Sequence, residues 1–122
     1  MKLAAAFDSY ESDQVKAALD GGVLKIYSVA RPPSPDTPVT RSGLLATFKF
    51  ASPAFGSETP SFVENQVSPE GVGTPGFARA FTADGKTPVA DFSVGPGSAD
   101  IALSEVSTTP GYKVSVVRFR LG

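Results

Sequence analysis

The chain contains no histidine, no cysteine and no tryptophan, and a single methionine among its 122 residues. Lack of histidine removes the side chain most often used as a general base. It also removes the serine–histidine and cysteine–histidine nucleophile pairs and the commonest transition-metal ligand. Lack of cysteine excludes disulfide stapling and thiolate metal sites, while leaving the compartment open. Excess charge is missing too: 11 basic and 12 acidic residues leave a formal net charge of −1. That balance gives no electrostatic case for nucleic acid or for an anionic membrane surface. Long apolar runs are absent. The opening MKLAAAF is too short for a secretion signal or a membrane span, so the expectation is a soluble protein made without export.

What is present suits a folded β domain. Hydrophobic residues make up 41% of the chain, nine of them Phe, which is enough for a core. Twelve Gly and eleven Pro punctuate it. No internal repeat or second domain is visible, so residues 1–122 are read as one domain. Residues 1–21 form its N-terminal arm and short helix, and 22–122 a β-sandwich with long Pro-rich loops.

Residues 9–20, SYESDQVKAALD, are the helix candidate. Ser9 or Ser12 can cap it, Gly21-Gly22 can stop it, and Tyr10, Val15, Ala18 and Leu19 make a narrow apolar stripe. From Gly22 onward the period changes to two. VLKIYSV (23–29) and GLLATFKF (43–50) alternate, the second with Leu44, Ala46, Phe48 and Phe50 on one face. SFVENQV (61–67) is a weaker strand. FARAFT and PVADFSVG flank Ala83-Asp84-Gly85-Lys86, a hairpin with a two-residue Asp-Gly turn. Extending that register places Phe77 opposite Phe92, Arg79 opposite Ala90 and Phe81 opposite Pro88, all on one face with Val94. ADIALS (99–104) and GYKVSVVRFRLG (111–122) complete the set. In the last, Val114 and Val116 take one face and Val117, Phe119 and Leu121 the other, which predicts a bulge near Val116-Val117 or burial on both sides. The fold class expected is mainly β: an antiparallel β-sandwich or jelly-roll-like barrel with one short N-terminal helix.

Candidate chemistry is thin. Gly71, Gly73 and Gly76 match G-x-G-x-x-G, but Pro75 removes an N–H from the loop and no helix pattern follows, so a loop is expected in which glycine supplies backbone freedom. Asp84, Asp91 and Asp100 are the carboxylates that could converge as a catalytic acid pair. Asp84 reads as a turn residue and Asp91 as a solvent-facing strand residue. Lys25 with Tyr27, and Arg118 with Arg120, are basic or basic–aromatic pairs too small for a nucleic-acid platform. PPSP is weak as a polyproline ligand core. The expectation is no enzyme, no catalytic residue, no metal or cofactor, and no small-molecule substrate. The long excursions 30–42 and 51–61 instead suit a protein that lies along a partner surface.

ALDGGVLKIYSVARPPSPDTPVTRSGLLATFKFASPAFG (18–56) resembles a family of small tailed-bacteriophage virion structural proteins. The shared landmarks are Gly21-Gly22, VLKIYS (23–28), Arg31-Pro32, Ser34-Pro35-Asp36, Gly43-Leu44-Leu45-Ala46 and Ala54-Phe55-Gly56. More loosely, FARAFTADGKTPVADFSVG (77–95) is similar to the family's hairpin and GSADIALS (97–104) to a following strand. Phe92 and Val29 stand where glycine is expected. The resemblance implies an all-β, non-enzymatic virion component. Its first reading is a capsid decoration (cement) protein, made in the host cytoplasm and carried on the capsid surface, with the major capsid protein and itself, as a homotrimer, for partners. A head–tail connector or tail-associated protein is the alternative. Another is a carbohydrate-binding adhesion module with Tyr10, Tyr27 and Tyr112 as stacking surfaces.

Overall fold

Alternation of apolar and polar residues around Gly22 and Gly43 builds the centre of the molecule. In a computed structural model, which describes residues 1–29, 31–37, 39, 43–55, 60–95, 98–105 and 107–120, these stretches form strands β2 (Val23–Tyr27) and β3 (Leu44–Lys49). They pair antiparallel, Leu24 with Phe48 and Ile26 with Ala46. β4 (Phe77–Phe81) pairs with β2, β5 (Pro88–Ser93) with β4 and β1 (Lys2–Leu3) with β5, giving a five-stranded antiparallel sheet in the order β1-β5-β4-β2-β3. Strands β6 (Ile101–Leu103) and β7 (Val116–Phe119) form a second, two-stranded sheet. The fold is mainly β and antiparallel with one short helix, as the alternation implied.

One face of the large sheet is the core. Leu24, Ile26, Phe48, Ala78, Ala80, Ala90 and Phe92 are fully buried there. The rings of Phe50, Phe55 and Phe92 all meet Phe119 of β7, Phe92 at 4.9 Å. These rings join the small sheet to the large one, and burial of the fully enclosed Phe50 and Phe92 contributes on the order of 1.5–3 kcal/mol each. Helix α1 (Ser12–Leu19) adds Val15 and Leu19 to the same core. Ala18 is only partly buried, while Tyr10 stays 38% exposed and packs edge-on against Phe7. The N-cap is Glu11 rather than Ser9 or Ser12, and the Gln14 side chain accepts a hydrogen bond from the Glu11 N–H at 2.8 Å. Gly22 follows the helix at a point where any Cβ would run into the Phe81 carbonyl oxygen. The helix end can therefore approach the end of β4 this closely only with glycine at this position.

Three expectations change in the structure. First, the hairpin between β4 and β5 is closed by Thr82 and Thr87, with Gly85 N–H donating to the Thr82 carbonyl at 2.8 Å. The connection is therefore longer than a two-residue turn. Second, Phe81 does pair with Pro88, but a bulge follows, so that Ala80 faces Ala90, Arg79 faces Asp91 and Ala78 faces Phe92. One extra residue on β5 moves Ala90 and Phe92 to the face opposite Arg79. Third, the first residues are a strand: Lys2 and Leu3 extend the sheet beside β5. Segment 61–67 forms only isolated bridges, Phe62 to Phe50 and Val67 to Val114. In β3, Leu45 is buried and Leu44 only partly so, because a bulge interrupts the pairing at Tyr27. The bulge foreseen near Val117 is present, since Leu103 pairs with Val116 and Ala102 with Arg118. It turns Val117 out to 58% exposure and leaves Phe119 buried. The expectation for Leu121 lies outside the described residues.

Candidate functional site

The face of the large sheet turned away from the main core carries the polar chemistry. Register places Tyr27 beside Phe77, Lys25 beside Arg79, and Arg79 beside Asp91. Tyr27 stacks on Phe77 with ring centroids 5.1 Å apart. The Arg79 guanidinium lies 5.5 Å from the Phe77 centroid, and Lys25 Nζ lies 5.2 Å from that of Phe81. Burial is the main influence on the Tyr27 hydroxyl and raises its pKa; the charge of Arg79 lowers it and that of Asp91 raises it.

Arg79 and Asp91 form a buried two-bond ion pair, Nε to Oδ1 at 2.7 Å and Nη2 to Oδ2 at 3.1 Å, with exposures of 4% and 0%. Such fork-to-carboxylate geometry supplies the partners a buried charge requires. Asp91 is thus the most enclosed carboxylate among the described residues rather than a solvent-facing one, and a carboxylate pinned by two guanidinium bonds is poorly placed to act as a base.

The remaining donors of Arg79 point at the Pro-rich excursion. Nη1 donates to the Thr37 carbonyl at 2.7 Å and Nη2 to the Ser34 carbonyl at 3.4 Å. Residues 34–37 form a turn, closed by Thr37 N–H to the Ser34 carbonyl at 3.0 Å, with Pro35 in its favoured second position and buried. Asp36 accepts from the Ala5 N–H at 2.8 Å and from the Ser34 hydroxyl at 3.3 Å. The described part of the excursion therefore straps back over its own sheet. Loop 51–55 and 60–61 does likewise: Ala54 and Pro60 are buried, and Ala54 N–H donates to Asp20 at 3.0 Å.

The three candidate carboxylates hold three separate posts. Asp84 organises the β4–β5 turn, accepting from the Lys86 N–H at 2.8 Å, the Thr82 hydroxyl at 2.7 Å and the Thr87 N–H at 3.1 Å. These bonds, the Lys86 N–H foremost, lower its pKa to about 2. Asp100 binds the Met1 ammonium at 2.8 Å and the Ser93 N–H at 3.3 Å. Burial pushes its carboxyl up, but the ammonium's hydrogen bond and charge, with the Ser93 bonds, outweigh burial and leave it below the usual value. The structure does not bring these acids together as a catalytic pair.

The glycine-rich loop is equally committed. Gly71 N–H donates to the Leu45 carbonyl at 3.3 Å, Gly73 N–H to that of Thr108 at 3.2 Å and Gly76 N–H to that of Tyr27 at 2.7 Å. The donors a phosphate would need are already bonded to carbonyls, and β4 rather than a helix follows. Gly76 is required for clearance, since a Cβ would collide with the Val29 carbonyl. Close approach, not backbone freedom, explains it.

Of the proposed stacking tyrosines, Tyr112 is 73% exposed, Tyr10 rests on Phe7 and Tyr27 on Phe77. Arg118 donates to the Ala99 carbonyl at 3.0 Å. A small, mainly apolar cleft of about 150 Å³ opens among Pro75, Val94, Ala102 and Leu103, with Glu105 at its lip. A wider, polar depression lies beside Phe62, Lys113 and Val116. Among the described residues no group of acidic side chains could hold a metal ion, and no helix is long and apolar enough to cross a membrane.

The Arg79–Asp91 pair and its strap escaped the sequence reading. A signal was available: β4 and β5 each carry one charge among apolar neighbours, of opposite sign, and pairing those two charges demands the bulge that was missed. Compared with family models, curated proteins and solved structures, the chain matches none of them.

Proposed function

We propose that the chain is a non-enzymatic bacteriophage virion structural protein, a capsid decoration protein that binds the major capsid protein shell and stabilises it. The observation that carries this reading is where the landmarks shared with the virion family fall. Gly22 sits where the helix end meets β4, Ser34-Pro35-Asp36 forms the strap, and Gly43 closes the neck of the excursion through Ser28 N–H to its carbonyl at 2.8 Å. Each of these positions has a structural duty in the fold, which supports reading the likeness as one of architecture rather than of composition.

Commitment of the carboxylates to structural bonds supports a binding role over a chemical one. Val63, Val72, Tyr112 and Val117 are 58–74% exposed and supply apolar contact surface. An interface on the order of 1,600 Å², repeated around a shell, reinforces a lattice through multivalency. The protein would be made in the host cytoplasm and act on the capsid surface as a homotrimer.

Purified protein mixed with empty capsids of the parent virus is expected to bind saturably, at one fixed ratio to the shell subunit. Binding to isolated tails and not to capsids would replace this reading with a connector or tail role. Binding to glycans, lost in Tyr112→Ala, would replace it with adhesion.

A further inference from the structure

The strap is larger than its place in the chain demands. Strands β2 and β3 are adjacent and antiparallel, and the bond from Ser28 N–H to the Gly43 carbonyl already closes their ends at 2.8 Å. A two-residue turn would join them. Instead 14 residues, 29–42, separate them in the sequence. Five residues lie on either side of the 34–37 turn, which at roughly 3.3 Å per extended residue gives each linker a reach of about 17 Å.

The receiving site is built for backbone. Arg79 reaches the strap through the carbonyls of Thr37 and Ser34, and among the described strap residues the only buried side chain is Pro35. Asp91 holds the guanidinium fork in place from the other side. A well-packed apolar pair of similar volume would generally stabilise a sheet face as well as a buried ion pair. What the charged pair adds is two directed donors for an extended segment. Those donors do not distinguish a strap of the same chain from that of another copy.

We propose that residues 31–37 are an exchange element: the strap docks on the Arg79–Asp91 site of a second copy of this chain as well as on its own. Exchange keeps every contact and adds no new chemistry, which makes it a low-cost route to association. The proline content of the linkers, with Pro32 and Pro33 before the turn, limits the entropy lost on extension. The inference concerns self-association and stands whether or not the protein binds a capsid.

Two variants separate the halves of the contact. In one, residues 30–41 are replaced by an Asn-Gly turn, which leaves the site without a strap. In the other, Arg79→Leu with Asp91→Leu leaves a strap without a site. After warming below the melting transition, sedimentation of the equimolar mixture is expected to show association at least about tenfold tighter than either variant alone. A mixture that associates no better than its components overturns the proposal, even if the unaltered protein self-associates by another surface. Should the double-leucine variant fail to fold, a synthetic peptide of residues 31–39 decides. It is expected to bind the strapless variant saturably, and the unaltered protein at least about tenfold more weakly because its site is filled. No saturable binding to the strapless variant overturns the proposal.

Discussion

The two faces of the five-stranded sheet are held by different physics. Towards the core, Leu24, Ile26, Phe48, Ala78, Ala80 and Phe92 are fully buried, and the attachment is apolar contact with helix α1 and Phe119 of β7. On the reverse, Phe77 is equally buried, yet its ring meets Tyr27 and the Arg79 guanidinium, and Arg79 in turn holds the strap by carbonyl hydrogen bonds. Contact of the first kind is non-directional and tolerates substitution of similar volume. Contact of the second kind is directional: it fixes which segment covers the face, and it fails abruptly when one partner is removed. One chain thus has a cover that is part of the core and a cover that is latched.

The largest expected effect breaks the latch from one side. Arg79→Leu leaves the Asp91 carboxylate buried without a counter-charge and should cost about 3–5 kcal/mol in denaturant unfolding. Removing both charges, as Arg79→Leu with Asp91→Leu, should recover most of that loss while the strap stays released. If the double variant is as unstable as the single one, the pair stabilises the body of the sheet itself and the two faces do not differ as described.

A smaller effect sharpens the comparison at the hairpin that carries both faces. Asp84 has its pKa lowered to about 2 in the folded chain by hydrogen bonds in the turn. A carboxylate whose folded pKa is depressed contributes stability above its unfolded pKa, and loses it as pH falls through the folded one. The contribution is therefore complete above about pH 4 and disappears towards pH 2. Asp84→Asn should lower the melting temperature at neutral pH by a small amount, and the two proteins should converge near pH 2. A difference that persists unchanged at pH 2 would show that geometry rather than charge holds the turn.

How much of this was legible follows from the range of each interaction. Strands β2 and β3 announced themselves because alternation is local, and the bulge at Val117 was visible as a clash between two alternating patterns. Helix α1 was visible from its stripe, although the cap moved to Glu11 because Gln14 offered the reciprocal bond. Strand β1 was not legible, since two residues carry no period and Lys2-Leu3 is a strand only because β5 offers it an edge. The β4–β5 register was misread for a related reason. The turn set the count correctly as far as Phe81 and Pro88, and the bulge beyond them is dictated by a charge pair and by packing on the core face, not by the turn. The glycine-rich stretch showed the converse: a pattern visible in the letters, whose N–H groups and missing Cβ atoms serve close packing against β2 and β3. Asp84 was legible as a turn residue because its partners lie two or three residues away, whereas the partners of Asp91 and Asp100, Arg79 and the Met1 ammonium, are tertiary contacts that no local pattern shows.

Native-state hydrogen exchange reads the two covers side by side. The Thr37 amide, bonded to Ser34, and the Ala5 amide, bonded to Asp36, report the strap; the Phe50 amide, bonded to Gly22, and the Val114 amide, bonded to Val67, report the core. In the double-leucine variant the strap amides should exchange at least about tenfold faster than in the unaltered chain, while the core amides keep their protection. Loss of protection at both sets together, or retention at both, would contradict the claim that the strap is a latched layer distinct from the core.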